Sequence, residues 1–128
     1  MNLLLDTCTL LWAWGQPEKL SRRLRGLLRD PHNHAWVSAA SAWEVSTKHR
    51  AGKLPGRGHI VVEWEERIAQ DGFRQLAISF NHALRAGSLP GSHRDPFDRM
   101  IAAQSLIETL PVATPDSEIG ALGADTIW

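Results

Sequence analysis

The chain begins with a short apolar stretch, Asn2 to Leu5, that ends at an acidic residue, Asp6. A strand with one face in water alternates apolar and polar residues, whereas a strand buried on both faces of a parallel sheet is apolar throughout. A helix can follow at once, from Thr7 to about Trp14, with Asp6 or Thr7 as its N-cap. This opening predicts a parallel sheet that is buried on both of its faces.

The rest of the chain alternates strands and helices in the same way. Strands are predicted at Ala35–Val37, Gln75–Ile78, Pro111–Thr114 and Asp125–Trp128. Helices are predicted after a Ser21 cap, from Ser38 or Ser41 to Arg50, from Val61 to Gln70, from Asn81 to about Gly87, from an Asp95 cap through Pro96 to about Leu110, and around Asp116. This alternation indicates an α/β fold with a parallel sheet of four to five strands flanked by helices. No repeat or linker divides the chain, so we expect one domain.

The composition fits a single packed domain. The 128 residues are 43% hydrophobic, which is enough for a core without covalent staples. The single cysteine, Cys8, excludes an intramolecular disulfide, and no apolar run approaches the length of a membrane span. The start of the chain does not look like a secretory leader, so we expect a cytoplasmic protein without membrane contact.

Acidic and basic side chains balance at 14 each, so bulk charge does not favour a nucleic-acid partner. The basic residues are concentrated in two segments, which either flank an acidic cavity or form solvated helix faces. They are Arg22, Arg23, Arg25 and Arg29 in the first segment, and Lys48, His49, Arg50, Lys53 and Arg57 in the second.

Four acidic residues occupy related places in the predicted fold. Asp6 and Asp116 follow strands directly, and Glu44 and Asp98 lie in the first turns of helices. The carboxyl ends of parallel strands and the adjoining helix N-termini meet at one edge of a sheet, where ligands bind. Taken singly, these acids are equally well explained as helix caps, as first-turn acids, or as a surface pair of Glu44 with Lys48. As a set they predict one acidic site.

Such a site needs a counter-charge, because crowded carboxylates bind protons instead of ionising. Mg²⁺ and Mn²⁺ prefer oxygen ligands, activate water and neutralise charge on a phosphodiester. The set therefore favours metal-dependent phosphodiester hydrolysis. Two other functions remain open: a non-catalytic RNA- or protein-binding module, and a receiver-type domain that accepts a phosphoryl group on an aspartate. The receiver pattern needs paired acids early in the chain and a lysine at a late strand end, and neither is evident.

The segments that carry these acids resemble PIN-domain ribonucleases, in particular the VapC toxins of bacterial toxin–antitoxin pairs. The most specific segments are WEVSTKHRAGKL, which contains Glu44, and DPFDRMIAAQ, which contains Asp98. The segments LLLDTCTLLWAW and VATPDSEI extend the similarity over nearly the whole chain. The resemblance implies a PIN-like fold, a single PIN domain over residues 1–128, and a Mg²⁺- or Mn²⁺-dependent endoribonuclease site.

By this resemblance, Asp6 and Asp98 bind the metal directly, and Glu44 and Asp116 complete the site or hold metal-bound water. Glu118 is the less favoured residue for the fourth acidic position, because Asp116 comes directly at the strand exit. The hydroxyl group of Thr7 or Thr9 is expected to orient Asp6 or a water molecule, and Lys48 is expected to contact phosphate. Asp95 is expected either to cap a helix or to reach the same cavity.

The resemblance also implies an unpaired RNA substrate that is cleaved to leave a 5′-phosphate. It further implies a cognate VapB-like antitoxin whose tail covers the acidic groove, and a homodimer. Three of the six tryptophans, Trp12, Trp14 and Trp43, either stack on RNA bases or, as we favour, pack in the core or a dimer interface. Cys8 lacks a histidine partner and is predicted to be a buried thiol.

Overall fold

The structure, a computed structural model, describes all 128 residues. Its centre is a five-stranded sheet with the strands β1 (Asn2–Leu5), β2 (His34–Ser38), β3 (Arg74–Leu76), β4 (Val112–Ala113) and β5 (Thr126–Ile127). Every neighbouring pair is parallel, and the order across the sheet is β3-β2-β1-β4-β5. This confirms the predicted α/β fold with a parallel sheet.

Eight α-helices join the strands and cover the sheet. They are α1 (Thr7–Gly15), α2 (Arg22–Arg29), α3 (Ala39–Arg50), α4 (His59–Val62), α5 (Trp64–Gln70), α6 (Phe80–Ser88), α7 (Pro96–Glu108) and α8 (Ser117–Ala121). A 3₁₀ turn at Pro17–Lys19 follows α1. None of the helices is long and apolar enough to cross a membrane.

β1 is buried on both faces, as its apolar sequence predicts. Leu4 packs with Ile101 of α7 and other residues on one side of the sheet. Leu3 and Leu5 pack on the other side, where Leu10 of α1 contributes to the second core. All three leucines of the strand are fully buried. Because two cores hold this strand, the position of the residue that follows it is fixed from both sides.

Polar residues begin the helices as predicted. The caps whose side chains accept backbone N–H groups are Asp6 for α1, Ser21 for α2, Ser38 for α3 and Asp95 for α7. Each cap satisfies donors that would otherwise be unpaired at the helix end. α6 begins at Phe80, just before the predicted Asn81, because Ser79 and His82 form a capping box there.

Several elements differ from the sequence prediction by one or two residues at their ends, and two differences have a clear local reason. The helix predicted from Val61 to Gln70 is two helices, because the backbone leaves the helical conformation at Glu63 (φ −93°, ψ 11°). β4 is shorter than predicted and begins only at Val112, because Pro111 has no N–H to donate to a neighbouring strand.

The topology creates a switch point beside β1. β2 and β3 lie on one side of β1, whereas β4 and β5 lie on the other. The connections therefore leave β1 and β4 in opposite directions, which opens a crevice at the carboxyl ends of these two strands. Asp6 and Asp116 follow the two strands that form this crevice.

The tryptophans are mostly packing residues, as predicted. Trp12 contacts Trp128 with ring centroids 5.9 Å apart, and Trp14 makes an edge-to-face contact with Trp64 at 5.1 Å. All four pack against the core on the side of Leu3 and Leu5. Trp43 differs, because 55% of its surface is exposed.

Candidate active site

The four acidic residues selected from the sequence line one pocket at the carboxyl edge of the sheet. Asp6 follows β1, Asp116 caps α8 after β4, Glu44 lies on α3, and Asp98 lies in the first turn of α7. The pocket has a volume of about 320 Å³. Its other lining residues are Thr7, Cys8, Leu11, Lys48, Asp95 and Pro115.

Asp6 is the most constrained of these acids. Its Oδ1 accepts the backbone N–H of Thr9 at 2.7 Å, and its Oδ2 accepts the hydroxyl of Thr114. Burial raises the pKa of Asp6, hydrogen bonds from Thr114 and Thr9 offset part of that rise, and the charge of Asp116 adds to it. Asp6 is therefore both the helix cap and a pocket acid, so the two interpretations of its role are compatible.

Thr114 is a site residue that the sequence analysis missed. Besides bonding Asp6, its hydroxyl oxygen accepts the backbone N–H of Asp116 at 3.0 Å. It thereby connects two acids that are far apart in the chain. The strand register explains the contact, because Leu5 pairs with Ala113 and the next residues on each strand are Asp6 and Thr114. The signal was the Ala-Thr-Pro-Asp segment after a strand, but a sequence alone does not give the register.

Glu44 is almost fully buried and forms an ion pair with Lys48 one turn later on α3. Burial alone would lower the pKa of Lys48, but the hydrogen bond and charge of Glu44, together with the charges of Asp95 and Asp98, outweigh it, so the pKa is raised. Lys48 is the only basic side chain that lines the pocket. It therefore supplies the counter-charge within this pocket.

Asp98 is held from the other side of the pocket. Its Oδ2 lies 2.8 Å from Nε2 of His93, whose Nδ1 lies 3.4 Å from a carboxylate oxygen of Glu118. Burial raises the pKa of Asp98, His93 lowers it in part, and the charges of Asp95 and Glu44 raise it further. The hydrogen bond with Asp98 in turn raises the pKa of His93. Glu118 thus contacts the acidic site through His93 without lining the pocket.

The pocket contains five carboxyl groups and one ammonium group, so its donor chemistry fits a hard divalent cation. The raised pKa values of Asp6 and Asp98 indicate that their charges lack sufficient compensation within the protein. The acids do not surround one point as a closed set of three ligands. Glu44 and Asp98 are instead bonded to Lys48 and His93.

The supporting residues are placed differently from one another. The hydroxyl of Thr7 donates to Ser41 Oγ at 2.9 Å, and that of Thr9 donates to the Ala113 carbonyl at 2.9 Å. The carboxylate of Asp6 is held by the backbone N–H of Thr9 and by the hydroxyl of Thr114. Asp95 both lines the pocket and caps α7 through Phe97 N–H at 2.9 Å.

Cys8 is exposed at the pocket, so the prediction of a buried thiol was wrong. The residues of α1 that face the core are its neighbours Thr7, Thr9 and Leu10. Desolvation, with the charge of Asp6, raises the pKa of Cys8 to about 11. The group therefore stays a neutral thiol at neutral pH and is a poor nucleophile.

Arg99 and Gln104 fix the elements around the site. The side chain of Arg99 does not contact Asp98, its neighbour in sequence. Its guanidinium donates to three backbone carbonyl groups, those of Ala86, Leu89 and His93. Gln104 is fully buried, accepts the Ser38 hydroxyl and donates to the Ala77 carbonyl at 3.2 Å. These bonds secure α7 and the segment before it, which carries His93.

Fold and pocket together define a parallel α/β domain with an acidic site at its topological switch point. The chain belongs to the PIN domain family, whose sequence model matches residues 3–124. It is also 31% identical over 74 residues to Ribonuclease VapC16 of Mycobacterium tuberculosis (strain ATCC 25618 / H37Rv). That match covers 56% of this chain and 52% of the relative, so the chain spans about half the length of this curated relative.

Solved structures share the fold at low sequence identity. VapBC2 from Rickettsia felis, bound to a DNA fragment from its promoter, matches with a TM-score of 0.72 and 15% identity over 100% of this chain and 98% of that one. FitAcB from Neisseria gonorrhoeae matches with a TM-score of 0.65 and 22% identity over 100% and 97%. These likenesses support the PIN-like fold over the full length of the chain.

Proposed function

We propose that this chain, as a single PIN domain over residues 1–128, is a metal-dependent endoribonuclease that hydrolyses RNA phosphodiester bonds. The observation that carries the proposal is the pocket in which Asp6, Glu44, Asp98 and Asp116 converge. Helix capping is a local interaction, so capping alone does not explain why four acids so far apart in sequence converge. The similarity to a ribonuclease and the family membership support the same activity.

The four acids are the residues that would hold Mg²⁺ or Mn²⁺, with Asp6 and Asp98 as the direct ligands. When bound, the ion supplies charge neutralisation at the phosphate and a lowered pKa for water. The chain's own contribution is to hold the carboxylates in place: Thr9 N–H and Thr114 orient Asp6, and His93 orients Asp98. Lys48 presents its ammonium group to the same pocket, where it would bind a substrate phosphate.

The receiver-type alternative is less well supported. Its phosphoryl chemistry needs a lysine at the end of a late strand, whereas Lys48 lies on α3 in the first half of the chain. A non-catalytic binding module would retain the fold without a need for a buried Asp6 and a half-buried Asp98, whose pKa values are raised by burial. Neither alternative explains the five carboxyl groups in one pocket as directly as a nuclease does.

We further propose that the protein acts in the cytoplasm as the toxin of a toxin–antitoxin pair, silenced by a VapB-like antitoxin, and that it forms a homodimer. The named relatives, VapC16, VapBC2 and FitAcB, support the first part. For the homodimer, the support is an apolar stripe on α6, where Phe80 is 90% exposed and Leu84 73% exposed. Two such side chains one turn apart favour coverage by another chain.

The test is cleavage of single-stranded RNA by the purified protein with Mg²⁺, with Mn²⁺ and with chelator. We expect metal-dependent cleavage that leaves 5′-phosphate ends. Asp6→Asn and Asp98→Asn should each lower the rate by at least ~100-fold, because each removes a charged ligand. Asp125→Asn is the matched control, because Asp125 is exposed and precedes β5 at the opposite edge of the sheet.

Cleavage that survives both substitutions would assign the activity to a contaminant or to another site. Metal-dependent RNA binding without cleavage by the wild type would favour the non-catalytic module. Stable labelling of an aspartate by a small phosphodonor would favour the receiver-type domain.

A further inference from the structure

Trp43 is the one tryptophan of six that is exposed, and the other five are partly buried. Its indole ring contacts the ring of Phe97 edge to face, with centroids 4.7 Å apart and planes at 73°. This contact restrains the ring, yet 55% of Trp43 remains accessible. The protein therefore presents a pre-oriented aromatic surface to solvent.

The aromatic pair lies next to the acidic pocket. Trp43 directly precedes Glu44 on α3, and Phe97 directly precedes Asp98 on α7. Successive helical residues point about 100° apart. One step around each helix therefore leads from a pocket acid to one of the two touching rings. The Trp43–Phe97 pair therefore lies at the rim of the pocket, where α3 contacts α7.

The same face of α3 carries positive charge. Thr47 and Arg50 follow Trp43 by four and seven residues, which is the spacing of one helix face. Arg50 is exposed in the last turn, together with His49. A polyanion that leaves the pocket along α3 would thus pass the aromatic ring and then meet a guanidinium group.

We propose that Trp43, braced by Phe97, is a stacking platform for an unpaired nucleobase of the RNA next to the phosphodiester in the acidic pocket. The inference rests on the proposed function for the placement of that phosphodiester. Base stacking on aromatic rings combined with basic groups along the backbone is how single strands are bound without strict sequence readout. It also requires an unpaired base, because a base within a duplex does not expose its ring face.

A second copy of the chain is the other candidate to cover Trp43, but the structure favours α6 as the surface for a second copy. The larger exposed apolar surface is the stripe on α6, and α7 packs between α6 and α3. Arg50 beside Trp43 adds a charge that suits a phosphate better than a dry apolar interface.

The experiment compares wild type with Trp43→Ala, Trp43→Phe and the control Val62→Ala, which removes an exposed apolar side chain on α4. Each protein is titrated in chelator with a labelled oligouridine RNA and with the same sugar-phosphate chain lacking bases. Trp43→Ala should lose roughly 5- to 100-fold in affinity for the RNA, with little change for the abasic chain. Trp43→Phe should keep most of the affinity but lose the quenching of indole fluorescence that stacking produces. Val62→Ala should match wild type on both chains.

If Trp43→Ala loses the same affinity for the RNA and for the abasic chain, or loses none for either, the proposed stacking platform is wrong. Conversion of Trp43→Ala to a monomer with unchanged affinity per protomer would assign the ring to a second copy. If the wild type fails to cleave RNA in Mg²⁺ but still shows base-dependent binding through Trp43, the ribonuclease proposal fails and the platform stands. Thermal unfolding of each variant checks that the fold is retained.

Discussion

Asp6 is a carboxyl group whose surroundings oppose its own ionisation. It is 4% exposed, and burial raises its pKa despite two hydrogen bonds. A group whose pKa is higher in the folded than in the unfolded chain binds its proton more tightly in the fold. Its contribution to stability therefore falls as the pH rises above the ordinary value of 3.8. Asp6 thus weakens the metal-free fold at neutral pH.

We therefore expect Asp6→Asn to be more stable than wild type at pH 8 in chelator. The amide stays neutral, and its oxygen can still accept the Thr9 N–H. A gain of about 1 kcal/mol would raise Tm by roughly 4 °C in a domain of this size. The difference should disappear below pH 3.8, where the aspartate is protonated in both states.

Thermal unfolding followed by circular dichroism, with and without Mg²⁺, measures this effect. Added Mg²⁺ should stabilise wild type and leave Asp6→Asn nearly unchanged, because ligands stabilise only the state that binds them. Asp125→Asn serves again as the control. A variant that is less stable than wild type at pH 8 in chelator would refute this account of Asp6.

At this scale the sequence predicts the acids but not all of their contacts. Asp6, Asp98 and Asp116 could be found because each sits at a strand exit or in a first helical turn. Thr114 could not be found, because its contact with Asp6 depends on the register between β1 and β4. The exposure of Cys8 was also missed, because an apolar stretch does not say which side of a short helix faces the pocket.

Among the elements, the segment between α6 and α7 depends on one side chain. Arg99 donates to carbonyl groups at the end of α6 and in the following loop, including that of His93. A guanidinium group can bond all three because its donors form a fixed planar fork. This arrangement secures the loop that brings His93 to Asp98.

Arg99→Ala should lower the free energy of unfolding by about 2–4 kcal/mol, because three carbonyl groups lose charged donors. Hydrogen exchange should increase most in the loop that carries His93. Arg99→Lys should recover only part of the loss, since an amine lacks the fork. Urea denaturation and hydrogen-exchange mass spectrometry measure both effects.

Arg94→Ala is the control for this prediction, because Arg94 is an exposed arginine of the same loop. If Arg94→Ala and Arg99→Ala behave alike, the carbonyl bonds of Arg99 do not secure the loop.

Element types were predictable here, and element ends less so. Alternating apolar stretches and polar caps suffice to order the strands and helices along the chain. The break at Glu63 was missed because Val61–Gln70 keeps a helical pattern across it, so local sequence gives no reason to stop. The order of the strands in the sheet likewise depends on contacts between distant segments.

For the whole molecule, the apolar stripe on α6 is the feature most relevant to assembly. Phe80, Ala83, Leu84 and Gly87 are all exposed and share one helix face. Large and small residues alternate along the stripe. In an antiparallel pairing of two copies, Phe80 of one would lie opposite Gly87 of the other, so the surface is complementary to itself.

Phe80→Glu and Leu84→Glu should each convert the proposed homodimer to a monomer, because a buried, unpaired carboxylate is costly. Size-exclusion chromatography with light scattering reports the mass directly. Val62→Glu is the matched control, since Val62 is 88% exposed on α4 and lies outside the stripe. A dimer that persists in both α6 variants would place the interface on another surface.

The pairing of the first strand with β4 has a consequence for synthesis. β1 is synthesised before the other strands of this sheet, yet its neighbour on one side begins only at Val112. Asp6 therefore meets Thr114 and Asp116 only after the whole segment between them has been translated. An emerging chain carries Asp6 long before the pocket closes around it, so a translation product that stops before β4 would lack the assembled centre.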